Sequence, residues 1–223
     1  MAATNATTLT QAVPREQRSA RDLAEGALGF AFIMLVLWLP TREQLIVGPL
    51  ALLAPLTLVI LSRSSITELG LGWRGFVASW WILPAAVGLA VLSVLAARGA
   101  GTFHALYQAS VMHVGGYVLW TIYQQFLLQD YFVPRLTRIL GSDAAIAVAA
   151  LLFAVAHLPN LSLTLATLFW GGISCWLFRR YRGLYTLGLA QGLLGLCFAV
   201  CVPDALHHHL RVGLGYLQYH AIQ

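Results

Sequence analysis

The chain is written in long apolar runs separated by short polar breaks. A bilayer-crossing helix needs ~20 predominantly apolar residues. By that measure the runs predict seven spans, at about 24–40, 44–62, 79–97, 109–133, 143–158, 161–178 and 184–202, the fifth and sixth short. Together with their connections they form a membrane bundle over residues 23–202, flanked by polar tails at 1–22 and 203–223. The pattern predicts an all-α, polytopic transmembrane helical bundle with no room for a soluble catalytic domain. Any chemistry falls within the membrane or at its surface.

Composition agrees: 59% of the 223 residues are hydrophobic and only 9% are charged, and the mean hydropathy is +0.77. A soluble globular domain is far more charged. The N-terminal tail mixes Arg15, Arg18 and Arg21 with Glu16 and Asp22, and lacks the layout of a cleaved signal peptide. The triplet at Asn5 matches a glycosylation acceptor, but the predicted topology puts it on the cytoplasmic side.

Basic residues near span ends favour the cytoplasmic side. Arg15, Arg18, Arg21, Arg63, Arg74, Arg135, Arg138, Arg179, Arg180 and Arg182 fall on one side, and Arg42, Arg98 and Arg211 on the other. Ten against three predicts a cytoplasmic N-terminus and an external C-terminus. Anionic inner-leaflet lipid then accounts for the net charge of +5 without a nucleic acid partner. All thirteen basic residues are arginine, so a retinal Schiff base, which needs a lysine amine, is excluded. Cys175, Cys197 and Cys201 lie within predicted spans and read as small packing residues.

Polar residues at membrane depth cost free energy unless they face a partner or a wet cavity. Span four carries His113, Gln124, Gln125 and Gln129; span five ends with His157 in "FAVAHLPN"; span seven holds Gln191 in "LGLAQGLLG". At ~1.5 Å per residue, Gln125 lies ~15 Å from Arg135, His157 ~21 Å from Asp143, and Gln191 ~14 Å from Arg182. These depths bring three helices to one level near the midplane, which reads as a shared site. For Gln129 alone, a hydrogen bond across a helix interface is the expected role. Gly188, Gly192 and Gly195 permit close helix approach. Trp120 and Tyr123 are placed to wall a cavity for an isoprenoid or acyl chain, or to pack the core. Trp80, Trp81, Trp170, Trp176, Tyr181 and Tyr185 read as interfacial belts. His207, His208 and His209 form a loop or interfacial cluster with surface metal binding as an alternative.

The order "QQFLLQ", "FAVAH" and "AQGLLG", with "ITELGLGWRGF" at 66–76, resembles the CAAX protease and bacteriocin-processing family of intramembrane proteases over about 64–202. The resemblance implies a site with catalytic positions at Gln124, Gln125, His157 and Gln191, and binding positions at Gln129 and Phe153; Trp120, Tyr123 and Asn160 are binding candidates by their place beside these residues. It also implies a membrane-embedded or lipidated peptide as substrate, while the absence of lysine points to a GC-rich bacterial genome and so to a bacterial inner membrane. Only Phe153 and His157 match the family's motifs; Gln124 and Gln125 stand where it carries paired glutamates, Gln129 in place of arginine, Gln191 in place of histidine and Gly195 in place of asparagine. A carboxamide keeps a carboxylate's shape but cannot act as general base. One imidazole is also too little for a conventional zinc site, and the cofactor is left undefined. Three functions follow: an intramembrane endopeptidase, a catalytically inactive relative that binds a membrane peptide or lipidated partner, or a small transporter.

Overall fold

The computed structural model describes residues 15–62, 64–107 and 109–219. Every regular element among them is helical. The long elements are α1 (Arg15–Trp38), α2 (Thr41–Leu61), α4 (Ile82–Gly99), α5 (Val111–Phe126), α7 (Ser142–Val155), α8 (Leu161–Tyr181) and α9 (Leu184–Cys201). Shorter helices are α3 (Trp73–Ser79), α6 (Val133–Leu140), α10 (Asp204–His207) and α11 (Gly213–Leu217). Of these, α2, α4, α8 and α9 are long and apolar enough to cross a membrane. These four helices agree with the membrane character read from the sequence.

Several predicted spans have different bounds. The fourth is part of a helical run from Val111 to Leu140 that includes a π-helical stretch, Leu127–Phe132. Pro134 explains it: proline has no N–H for the carbonyl four residues back and its ring clashes there. A widened turn, with the Val133 N–H bonded to the Leu128 carbonyl, carries the chain past that point. The third predicted span is broken at Trp80 and Trp81, between α3 and α4. The fifth ends at Val155, so His157 stands in the turn joining α7 to α8 rather than inside a helix. The sixth runs on to Tyr181, where Arg182 enters the left-handed region (φ 52°) and ends it.

Contacts sort the helix termini into two ends of the bundle. At one end α6 is bound to α1: Arg138 donates to both carboxylate oxygens of Asp22 at 2.6 Å, and Arg135 donates to Glu25 at 2.7 Å. Asp143 pairs with Arg179 at 2.6 Å, and the Leu184 N–H donates to the Gly70 carbonyl at 3.0 Å. At the other end His104 N–H reaches the Val200 carbonyl and Gly213 N–H reaches the Leu158 carbonyl. A five-residue turn, 156–160, makes α7 and α8 an antiparallel hairpin.

Between α5 and α9 the backbones come close because α9 offers glycines. A Cβ on Gly188 would stand 2.7 Å from the Ile122 Cα, and one on Gly195 2.0 Å from the Tyr117 hydroxyl. This contact sets the candidate site, since Gln124 and Gln125 lie on α5 and Gln191 on α9.

The terminal segments fold beyond the predicted tails. Residues 15–22 already belong to α1, and residues 203–219 form a compact cap at the bundle's second end. Residues 1–14, with the Asn5 triplet, lie outside the described residues, as do Arg63, Gln108 and 220–223.

Candidate functional site

Four glutamines form a continuous chain of amides. Gln129 Nε2 donates to Gln125 Oε1 at 3.0 Å, Gln125 Nε2 to Gln191 Oε1 at 2.6 Å, and Gln191 Nε2 to Gln124 Oε1 at 2.6 Å. Gln125 and Gln129 are buried, and the Ser174 hydroxyl of α8 lies 3.5 Å and 3.3 Å from their amide nitrogens. Trp170 Nε1 also donates to Gln191 Oε1, at 3.0 Å. Of the three residues expected at one depth, Gln125 and Gln191 are joined by a direct hydrogen bond, and Gln124, the neighbour of Gln125, joins them through Gln191. Gln129, in the π-helical stretch, reaches Gln125 on α5 and Ser174 on α8, a contact across a helix interface.

His157 approaches from the α7–α8 turn. Its Nδ1 lies 2.6 Å from the Phe153 carbonyl oxygen, which only accepts, so Nδ1 carries the proton of the neutral ring and Nε2 keeps its lone pair. The Phe153 ring packs edge-on against the imidazole, 4.9 Å between centroids. Gln124, His157 and Trp120 line two cavities at once. The first, of about 290 Å³, runs between α1, α2 and α5 and is walled by apolar side chains including Phe30, Leu52, Leu128 and Phe132. The second, of about 400 Å³, holds Tyr117, Thr167, Trp170, Gln191 and Cys197. Among the described residues, no charged side chain lines either. Tyr123 lines the first cavity only, with its hydroxyl donated to the Leu52 carbonyl at 2.6 Å.

Asn160, assigned to binding on the sequence, is fully buried and serves the cap. Its Oδ1 accepts the Leu163 N–H at the start of α8, and its Nδ2 donates to the carbonyls of His207 and Arg211 at 2.7 and 3.0 Å. Val212, from the capped segment, lines both cavities. The histidine triplet is bound within this cap: His209 Nε2 is 3.1 Å from Asp204 Oδ1, and His207 Nε2 is 2.9 Å from the Val202 carbonyl. Burial raises the Asp204 carboxyl, but the Tyr219 hydroxyl, the His209 N–H and the nearby histidines outweigh it and hold the group below its usual range. Burial pushes His207 below the ordinary imidazole value.

Asp130 is buried in the π-helical stretch with Oδ2 unpartnered among the described residues. One residue stands differently from expectation. Trp170, read as part of an aromatic belt, is instead a donor to Gln191. Trp170 and Ser174 were missed as site residues. The available signal was their spacing with Thr167 and Gly171, which gives α8 one stripe of small and polar residues. Gly195 faces Tyr117 across α5.

Among the described residues no group of three His, Cys, Asp or Glu side chains is arranged to hold a metal ion. Around His157 the available donors are neutral amides, which do not fit zinc, and no step is routed through a metal. Neither a family model, a curated protein nor a solved structure matches this chain. The fold and site define a helical membrane protein with a neutral, amide-lined centre between two cavities.

Proposed function

We propose that this chain is a non-catalytic membrane protein that binds the lipid chain of a membrane-embedded or lipidated peptide in the paired cavities. It crosses the bilayer in seven passes, with the arginine-rich end cytoplasmic and the cap external. The observation that carries the binding reading is that Gln124, His157 and Trp120 line both an apolar cavity and a more polar one, with no charged side chain among the described residues lining either. Ligand sites are typically cavities of ~300–1,000 Å³, mostly apolar with a few converging polar groups. Membrane lipids are the remaining partners, held at the basic end. The resemblance to the CAAX protease and bacteriocin-processing family supplies the fold half of this proposal, as an inactive relative.

The test is native mass spectrometry of the full chain released from nanodiscs after incubation with N-acetyl-S-hexadecylcysteine methylamide. One retained copy per chain is expected, displaced by Ala51→Phe, which fills the first cavity. Equal retention in Ala51→Phe, or none in the wild type, sinks the proposal.

One observation favours a second reading, an intramembrane endopeptidase: the His157 Nε2 lone pair belongs to a side chain that borders both cavities, where it can take a proton from water. That reading predicts cleavage of the same lipopeptide, lost in His157→Ala. The amides of Gln124, Gln125 and Gln191 are not proton acceptors near neutral pH, which is why binding stands first.

A further inference from the structure

The amide chain has a direction, and the direction is set by one side chain. An Asn or Gln amide can be turned end for end without changing its shape, so a row of glutamines is in principle reversible. Trp170 removes that freedom. Its indole N–H can only donate, and it reaches the same Gln191 oxygen as Gln125 Nε2 does. Turning Gln191 would bring its NH₂ group against the indole N–H, donor against donor. With Gln191 Oε1 fixed on the Trp170 side, its Nε2 faces Gln124, whose oxygen must accept. The chain then runs from Gln129 through Gln125 and Gln191 to Gln124. Two ends are left over. Gln129 Oε1 is a buried acceptor without a partner among the described residues. At the other end the Gln124 amide nitrogen, whose oxygen is already taken, belongs to a side chain bordering both cavities.

The second polar group at that border is also fixed. His157 Nδ1 is held by the Phe153 carbonyl oxygen, so the neutral ring offers Nε2 as an acceptor. One donor and one acceptor therefore stand where the cavities meet, His157 oriented by a carbonyl that can only accept and Gln124 by the amide chain that Trp170 fixes. Among the described residues no arginine, aspartate or glutamate lines either cavity. An ionised group brought there would lose its hydration without gaining a counter-charge, which is costly in an apolar setting. A group that can both accept from Gln124 and donate to His157 loses little.

We propose that the ligand's polar group at this junction is neutral and both donates and accepts, a hydroxyl or a carboxamide, with its alkyl or prenyl chain in the apolar first cavity. Gln124 and His157 are the contact residues, and Trp170 is the positioning residue that polarises the amide chain toward them. This rests on the binding reading above and adds the chemical class of the ligand.

The test uses the full chain in nanodiscs and a hexadecanol carrying a diazirine at the end of its chain. Photolabelling is challenged with hexadecanol, hexadecanamide, hexadecanesulfonate, hexadecyltrimethylammonium and hexadecane, all matched in chain length. Hexadecanol and hexadecanamide are expected to halve the labelling at concentrations at least about tenfold lower than the two charged competitors and the alkane, a difference of ~1.4 kcal/mol. Trp170→Phe keeps the ring and removes the N–H, and Gln124→Leu removes the donor itself. Both are expected to retain labelling while the ratio falls below about threefold, well inside that tenfold margin. The two variants back each other should one fail to fold. A merely structural role for Trp170 would change how much protein is labelled without changing the order of the competitors. Saturable labelling with all competitors alike overturns the head-group assignment and leaves lipid binding standing. So does a ratio that survives in both variants. No saturable labelling of the wild type removes the binding reading and this inference with it.

Discussion

Replacing Gln191 with leucine removes the hub of the amide chain. The side chain accepts from Gln125 at 2.6 Å and from Trp170 at 3.0 Å, and donates to Gln124 at 2.6 Å. Three hydrogen bonds are lost together, and leucine supplies no replacement. In membranes such bonds contribute ~0.6 kcal/mol on average, because the unfolded chain in lipid also finds partners. The expected loss is therefore about 2 kcal/mol, roughly thirtyfold in the folding constant. Gln124→Leu is the matched control, since it removes only the terminal bond and should cost about 0.6 kcal/mol. Reversible unfolding in mixed detergent and lipid micelles, followed by far-UV circular dichroism, measures both. A Gln191→Leu penalty no larger than that of Gln124→Leu would refute the reasoning. It would mean that water in the second cavity satisfies the freed Trp170 and Gln125 donors.

Further expectations concern packing and the cap. Gly188→Ala places a methyl group 2.7 Å from the Ile122 Cα, whereas Gly172 has nothing within 4 Å. The first is expected to cost ~1–3 kcal/mol by overpacking in the same unfolding assay, and Gly172→Ala much less. Asn160→Ala removes a helix cap worth ~1 kcal/mol and both donations to the cap carbonyls. Hydrogen exchange is expected to rise over 204–219 while α8 beyond its first turn stays protected; unchanged exchange over 204–219 would count against the cap's attachment. The cap is also expected to loosen in acid. His207 is held below its usual value, so its contribution is complete above ~6.5 and declines as pH falls toward the folded value. Asp204, also held low, contributes fully above ~3.9 and loses that contribution as pH falls through its lower folded value. Exchange over the cap measured from pH 8 to 4 checks this, and protection that increases on acidification would contradict it.

Much of the bundle was legible because membrane helices announce themselves by length and hydropathy. The meeting of Gln125 and Gln191 followed from counting residues to the arginine-rich end, since helical rise is constant. His157 was placed by the same count, Trp120 and Tyr123 by their spacing from Gln124, and Phe153 only by the resemblance of the "FAVAH" motif. What escaped depends on contacts distant in sequence. The cap holds His208, His209 and Leu210 at φ 46°, 52° and 59°, a left-handed run with no periodic signature. It is secured by Asn160 reaching 47 and 51 residues along the chain. Asn160 signals a helix start, as it does here for α8, but a cap residue's spare amide hydrogens carry no address. Trp170 was hidden by the habit of tryptophan at membrane interfaces, and only its register with Ser174 pointed inward. The π-helical stretch was hinted at by Pro134, yet which backbone shift would absorb that proline is decided by packing against α1 and α7.

The account turns on an apolar chain lying in the first cavity with its polar group at Gln124 and His157. The direct measurement is a residue map of covalent adducts formed by the chain-end diazirine hexadecanol on the full protein in nanodiscs. Adducts on Phe30, Leu52 and Leu128, side chains that wall that cavity, are the predicted result. Adducts confined to the outward-facing Leu45, Leu92 and Met112 would contradict it, because they would show the chain lying in the surrounding lipid and the cavity unused.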